Sequence, residues 1–557
     1  MLAALSFVAR RAALAAVDGL VSTRPIRWIW AGPSREELAE VLGEFRPTDR
    51  DSISEMMAGR YLLASRLVDT RGLSPFAMES EGADWMAALR TFSWLRHFRE
   101  ARNDGERSFA RMLALDWIGR EGKFRRPGWS VALTARRVLN WLRHLNLLLD
   151  GATPEQRKTL LKSLGTQVQW LKMRSRFAGD PVAKLLAAIA LVAAAAGDER
   201  PKAETGPWMA RLERLLAQQI DDDGLHLSRS AAMQLRLLTE LETLRQTLMR
   251  DRPDEMGGLG ETVEQMHRAL DGISLSTGEP GYFNGTGQLP HDLVVAVQVQ
   301  SAARFRNSGT VGGYGRLAAG NSILVVDGGK VPPLDFAAEA HAGALAFEFS
   351  HGAELIVGNC GPAPVDFSAE DRLLFRQGAA HSSLVIDGGS SARLRARGPL
   401  GGRLQPDGPA GSIIMSEDDS GLAVATYGFE RRFGVTMERR MTLLSEGETL
   451  VGQDRLSVAG RSKRPLTATA RFHLALGTTP IKSPDEDVLR LRLASGAVWT
   501  FLWEGATMRI EDSVRQSAYF GLNKTKQIVL ESKVEDGHEI AWIFTLEQLG
   551  TSTRRLG

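Results

Sequence analysis

Gly313-Tyr314-Gly315-Arg316, Ser322-Ile323-Leu324-Val325-Val326-Asp327, His341-Ala342-Gly343-Ala344-Leu345-Ala346-Phe347-Glu348-Phe349 and Asn359-Cys360-Gly361 fall within one stretch, Val311 to Gly361. Here helical periodicity stops and strand periodicity begins. After Gly343 the residues Leu345, Phe347 and Phe349 alternate with Ala346 and Glu348, the two-residue period of a half-buried strand. Glu354-Leu355-Ile356-Val357 follows a His351-Gly352 turn, so the segment reads as a hairpin with His341 at its entrance. An imidazole at the start of a strand can be lost without a deep cavity, so His341→Ala is expected to leave the fold intact.

Upstream, from about Arg35 to Asp271, apolar residues recur at three- and four-residue spacing, as in Trp85-Leu89-Phe92-Leu95 and Val138-Trp141-Leu142-Leu145-Leu148. Breakers at Gly151, Asp180-Pro181, Gly197-Asp198 and Asp222-Asp223-Gly224 cut this region into helices of ordinary length with short connections. Periodicity alone leaves a bundle and a toroid equally open. Downstream of Tyr314, short alternating segments such as Ser382–Asp387, Gly421–Tyr427 and Ala541–Thr545 predict a sandwich or a stack of antiparallel sheets. The fold class is therefore α+β and multidomain: a helical domain over 1–275, a glycine-rich linker over 276–305, and a β-domain over 306–557.

Composition narrows the function. A chain of 557 residues is too long for one core, and 43% hydrophobic with 24% charged residues is an ordinary globular balance. The formal charge of +3 makes no case for nucleic acid, so a polyanion would need a local basic patch such as Lys123-Phe124-Arg125-Arg126 or Lys172–Arg176. The single cysteine, Cys360, excludes an internal disulfide and any multi-cysteine zinc site, and its apolar strand suits a buried core residue. At the N-terminus, Arg10-Arg11 interrupts what would otherwise resemble a signal sequence, and the segment reads as an amphipathic helix. The cytoplasm is the expected compartment, with export or attachment to a membrane surface left open. The apolar run Val182–Ala196 carries Lys184 and is too short to span a bilayer, so no transmembrane segment is expected. The oligomeric state is not legible.

Three helical segments and the stretch around His341 resemble the heparinase II/III family of polysaccharide lyases. Pro127-Gly128-Trp129, then Arg137-Val138-Leu139-Asn140-Trp141, is similar to the family's Trp-x-Pro followed by Arg-Ile-x-Asn-Trp. Phe177-Ala178-Gly179-Asp180-Pro181 stands where lyases of this family have Gly-x-Asn-His, and Asp223-Gly224-Leu225-His226-Leu227-Ser228-Arg229-Ser230 is similar to Asp-Gly-Gly-His-x-Glu-Arg-Ser. The β-half opens with the family's Gly-Tyr segment, and His341 matches the second histidine of its His-x-His-x-Asp strand; Glu339 and Gly343 replace the other two. The resemblance implies an incomplete α/α toroid followed by an antiparallel β-sandwich, and an acidic, glycosaminoglycan-like polysaccharide as partner. It implies β-elimination next to a uronate: donors neutralise the carboxylate, a base removes the C5 proton, and an acid protonates the leaving oxygen.

On that reading His226, His341 and Tyr314 are the catalytic candidates, with Tyr282 as a second possible acid. Arg229, Asn284, Gln288, Asn140 and Arg316 are the candidates for holding the glycan. Departures are visible: Ser228, Ala231 and Met233 replace the family's acidic residue, proline and tyrosine, and Asp180-Pro181 replaces the Asn-His pair. With its histidine and aspartate neighbours missing, His341 does not make a metal site, and no cofactor is expected. Each candidate also has a structural reading, since His226 and Arg229 follow an acidic turn and Tyr314 suits a core. A divergent lyase acting on a bacterial or host glycan and a glycan-binding protein that has lost turnover are thus both expected outcomes. A hydrolase with paired carboxylates is weaker, because no acidic pair stands out.

Overall fold

The computed structural model describes residues 2–30, 38–78, 81–124, 128–198, 205–305, 307–459, 464–483, 487–518 and 521–549. Arg35, Arg125, Arg126 and Pro127, which figure in the sequence reading, lie outside the described residues. The chain divides into two compact units, one of residues 1–219 and 236–264, the other of 220–235 and 265–557. Segments 220–235 and 265–305, which periodicity groups with helices or a linker, thus belong with the sheets.

The first unit is helical. Its helices start on side-chain caps: Asn103 caps Asp104–Glu121, Ser130 caps Val131–Arg143, and Thr153 with Gln156 forms a capping box for Pro154–Arg174. Pro181–Ala196, capped by Asp180, is almost wholly buried because its neighbours cover it on most sides, including Val131–Arg143 and Thr205–Ala217. An aromatic cluster of Phe92, Trp94, Trp117, Trp129 and Trp141 forms part of the core, and the buried Arg137 guanidinium stacks 4.2 Å from the Trp117 ring. Two details depart from the periodic reading. The run Trp85 to Leu95 is broken at Phe92, whose φ of 59° ends the helix Ala83–Arg90 before a 3-10 segment, Ser93–Glu100. A small hairpin, Arg60–Leu63 with Arg66–Asp69, sits among the helices.

The second unit carries a sandwich of two open antiparallel sheets around one apolar core. One sheet has eight strands, in the order Ser412–Met415, Gly421–Thr426, Val435–Leu444, Thr449–Val458, Glu539–Gln548, Val498–Glu504, Leu489–Arg492 and Thr479–Lys482. The other has nine, running from Thr507–Ser517 through Gly521–Lys533, Thr467–Leu474, Glu354–Gly358, Phe347–His351, Ser322–Asp327 and Tyr314–Ala319 to Gly309–Val311, with Leu384–Ile386 also paired to Thr467–Leu474. Short helices, Ala369–Leu374 and Glu430–Phe433, occupy connections between strands, and the linker region contains the helix His291–Gln298.

Alternation sets which side chains face the core. In Val435–Leu444 the inward positions are Val435, Met437, Arg439, Met441 and Leu443, and the register places Arg439 directly opposite Asp454. These charges are fully buried and form a bidentate pair, to which Trp542 adds an indole N–H donated to Asp454. Gly452, next but one to Asp454, lies under Trp542, where a Cβ would come 2.1 Å from the indole ring. The strand after His341 also differs from expectation. It begins at Phe347 and is buried on both faces, Glu348 included, while Leu345 has a φ of 65°. His341 therefore sits in coil, six residues before the strand.

Candidate functional site

The β-containing unit brings together most of the candidates in a hydrogen-bonded chain that starts in the loop Ile220–Ser230. Asp221 accepts the N–H groups of Asp223 and Leu225, and Gly224, with a φ of 87°, turns the chain where a Cβ would meet the Gln265 carbonyl at 2.4 Å. Gln234 staples this loop, accepting from His226 N–H and donating to the carbonyls of Gly224 and Met266. Arg229 follows with a left-handed φ of 57°.

The Arg229 guanidinium is spent on the protein. It donates to the carbonyls of Gly312, Gly313 and Lys330 and to the Asp327 carboxylate at 2.9 Å, and it lies 4.1 Å from the centre of the Tyr314 ring. Burial alone would lower its pKa, but Asp327 more than offsets that. The Tyr314 hydroxyl donates to the Arg229 carbonyl at 2.6 Å and accepts from Asn284 Nδ2 at 2.6 Å. Burial raises the Tyr314 pKa far above the usual phenol range. Asn284 Oδ1 accepts the His341 N–H, and Asn284 itself holds a φ of 47°.

The ring nitrogens of His341 complete the chain. Gly285 N–H donates to His341 Nε2 at 3.2 Å, so that nitrogen is unprotonated and Nδ1 carries the hydrogen. Nδ1–H then donates to His381 Nε2 at 2.9 Å, and His381 Nδ1–H donates to the Gln377 carbonyl at 2.8 Å. Both rings are neutral, because burial drives His341 well below the ordinary imidazole range and His381 down to about 4. In this conformation neither nitrogen of His341 is available to take a proton from a substrate carbon.

His226 is held differently. Its Nδ1 accepts from the Ser228 N–H at 3.1 Å and lies 2.8 Å from the Ser228 hydroxyl, so Nε2 carries the hydrogen. Nε2 is buried, with no hydrogen-bond partner among the described residues, and the ring meets Phe336 edge-on at 5.0 Å. Burial pulls its pKa down to about 3. His226, Arg229, Asn284 and His341 thus lie in one unit, but each is no more than 5% exposed, so they sit in its interior and not on an open concave surface. The physical reason is that the polar groups of Arg229, Asn284 and His341 are turned onto one another, onto His381 and onto nearby backbone, while the Nε2–H of His226 is left facing the interior.

The remaining candidates are placed as follows. Arg316 is buried with its guanidinium against the carbonyls of Asp271, Gly272 and Ser274, where a helix ends and a cation is favoured. Gln288 is exposed, and its Oε1 accepts from Ser517 and Ala518. Tyr282 is buried under the Arg515 guanidinium, 3.8 Å from its ring, and burial raises its pKa to about 12. In the helical unit Asn140 donates to the Thr91 carbonyl and accepts from Arg46, both at 2.8 Å. Cys360 is buried beside His473. Among the described residues no group of three or more His, Cys, Asp or Glu side chains is placed to hold a metal ion.

The helical unit also shows a cationic face that the motif reading passes over. On Val131–Arg143 the residues Arg136, Asn140 and Arg143 share a face by their four- and three-residue spacing; on Ala231–Asp251 so do Arg236, Glu240 and Thr243. Arg143 joins the two faces by donating to Glu240 and to Thr243, yet its Nε and Nη1 have no partner among the described residues. Arg136 and Arg236 stand near each other. Arg236 reaches solvent although protein crowds it, and that crowding, followed by the charge of Arg136, pulls its pKa down to about 10. Burial also lowers the pKa of Arg136, against the partial opposition of Glu240 and Asp180. The signal was present in the doublet Arg136-Arg137, but only the fold separates the surface arginine from the stacked one.

Residues 303–543 match the family model described as heparinase II/III-like, C-terminal. No curated protein matches the chain in sequence. Among solved structures, a heparan sulfate lyase HepC mutant from Pedobacter heparinus aligns over 98% of this chain and 89% of its own, with 13% identity and a TM-score of 0.63. A heparinase III aligns over 93% of this chain and 88% of its own, at 12% identity and a TM-score of 0.69. The heparinase III BT4657 gene product aligns over 90% of this chain and 84% of its own, at 12% identity and a TM-score of 0.63. The fold is the one these proteins share, an α/α toroid with a β-sandwich.

Proposed function

We propose that this chain, whose residues 303–543 match the heparinase II/III-like C-terminal model, is a divergent member of that family and binds an acidic, uronate-containing polysaccharide at the cationic face of its helical unit without eliminating it. The observation that carries the reading is the Arg136 and Arg236 pair. Neither guanidinium has a hydrogen-bond partner among the described residues; Arg236 reaches solvent and feels the charge of Arg136, and Glu240 and Asp180 oppose the charge of Arg136 only from a distance. A carboxylate or sulfate of a glycan can accept charge-assisted hydrogen bonds from both guanidinium groups and offset the charge that Arg136 presents to Arg236. Support for the absence of turnover comes from the other unit, where the groups of Tyr314, Arg229, Asn284 and His341 are committed to one another. At the positions matching the family's tyrosine and Asn-His pair, this chain has Met233 and Asp180-Pro181.

The test pairs binding with absorbance across a set of uronate-containing glycans. Binding that weakens with salt is expected, with Arg136→Ala and Arg236→Ala each lowering affinity about tenfold, as for loss of a charge-assisted hydrogen bond. No ultraviolet-absorbing product should appear. Affinity unchanged in the double variant would sink the assignment.

A second reading, elimination, is favoured by one observation, the buried and unpartnered Nε2–H of His226. Such a donor suits a uronate carboxylate or a leaving oxygen. An unsaturated uronate product from the wild type, lost in His226→Ala, would establish this second reading in place of the first.

A further inference from the structure

The helix Leu2–Val21 is turned inside out relative to an ordinary surface helix. Of its polar and charged residues Ser6 and Arg10 are exposed, whereas Arg11 and Asp18 are half-buried, with Asp18 paired to Arg174 at 2.7 Å and Phe7 buried beside the Arg11 guanidinium. The opposite face is open and apolar. Leu5 is 60% exposed and Leu20 58%, and between them Ala9, Ala12, Ala13 and Ala16 are exposed as well. At 100° per residue these positions fall on one stripe, with the exposed Arg10 at its flank. The next helix, Arg24–Trp30, adds Trp28 and Ile29, 88% and 82% exposed, and the exposed Arg24.

We propose that this helical pair docks the protein on an anionic lipid bilayer. Charge selects this occupant. Residues 2–30 contain four arginines and one acidic residue, and that acid, Asp18, is already paired with Arg174. An apolar stripe flanked by arginines, with an exposed tryptophan beside it, matches a helix lying in the headgroup region, where acyl chains cover the stripe and anionic lipid meets the arginines. Spanning is a different matter, since no helix among the described residues is long and apolar enough to cross a membrane.

The full chain is tested by flotation with unilamellar vesicles of phosphatidylcholine alone and of phosphatidylcholine with phosphatidylglycerol. Two double variants are compared with it, Leu5→Gln with Leu20→Gln, and Trp28→Ser with Ile29→Ser. All four side chains are exposed, so thermal unfolding should be unchanged. The wild type is expected to float with anionic vesicles and to be released by high salt, and each double variant should lower the bound fraction about tenfold. Three outcomes overturn the proposal: no flotation with either vesicle, equal flotation with neutral vesicles, or a self-associated wild type that the same substitutions convert to monomer, which would give the face to a second copy of this chain.

Discussion

Replacing His341 by alanine is the sharpest test of whether the buried histidine chain is structural or chemical. The imidazole is 5% exposed, accepts from Gly285 N–H and donates to His381 Nε2. Removing it leaves both partners without their hydrogen bonds, at about 1–2 kcal/mol each, and loses the packing of a buried ring, about 2 kcal/mol more. The sum, about 4–6 kcal/mol, is a large share of the 5–15 kcal/mol by which a domain is typically stable. This reverses the expectation from sequence, because the residue is a buried tie between loops and not the exposed start of a strand. Hydrogen exchange of amides in Ser322–Asp327 and Phe347–His351 reports the opening of this unit, and protection there should fall roughly a thousandfold or more. His341→Gln can accept from Gly285 and donate to His381, so it should restore more than half of the loss. Unchanged protection in His341→Ala, accompanied by loss of a measurable glycan activity, would show that the ring is free for chemistry and that the hydrogen-bond account is wrong.

Acid should destabilise the same unit. His226, His381 and His473 are held neutral by burial, at about 3, 4 and 3, whereas an unfolded histidine titrates near 6.5. Below about pH 6.5 the unfolded chain takes up protons that the folded unit refuses, so stability is fully present above that pH and is lost as pH falls toward 3–4. At pH 5 each ring costs about 2 kcal/mol; denaturation midpoints that stay level between pH 7 and pH 5 would contradict this. Asp454→Ala should destabilise the sandwich by about 3–5 kcal/mol, because it leaves the Arg439 charge buried and uncompensated. Replacing both by apolar residues, as Arg439→Met with Asp454→Leu, should recover most of that stability when the variants are compared by urea titration. Gly452→Ala drives a methyl group into Trp542 and should lower the thermal midpoint of the same unit.

The order of elements was legible from the chain alone, because periods of 3.6 and 2 are local properties of side-chain direction. The long helices precede the strands of the sandwich, the alanine-rich helix Pro181–Ala196 is buried, and Val435–Leu444 alternates, all as the apolar pattern dictates. The family likeness was legible for the same reason, since it rests on short runs around Trp141, His226 and Tyr314. That Arg439 faces inward was not legible, and only the register with Asp454 shows how a charge can stay there. What a polar residue does was not legible. Arg229, Asn284, Tyr314 and His341 look like a glycan site in sequence, and tertiary structure turns their donors and acceptors toward one another across separations of 30 to 85 residues. Arg136 and Arg236, a hundred positions apart, become neighbours only when two helices pack. A hydrogen bond depends on position and direction in space, which no local period encodes, so the fold class followed from pattern while the division between structural and ligand-facing polar groups waited for the packed chain.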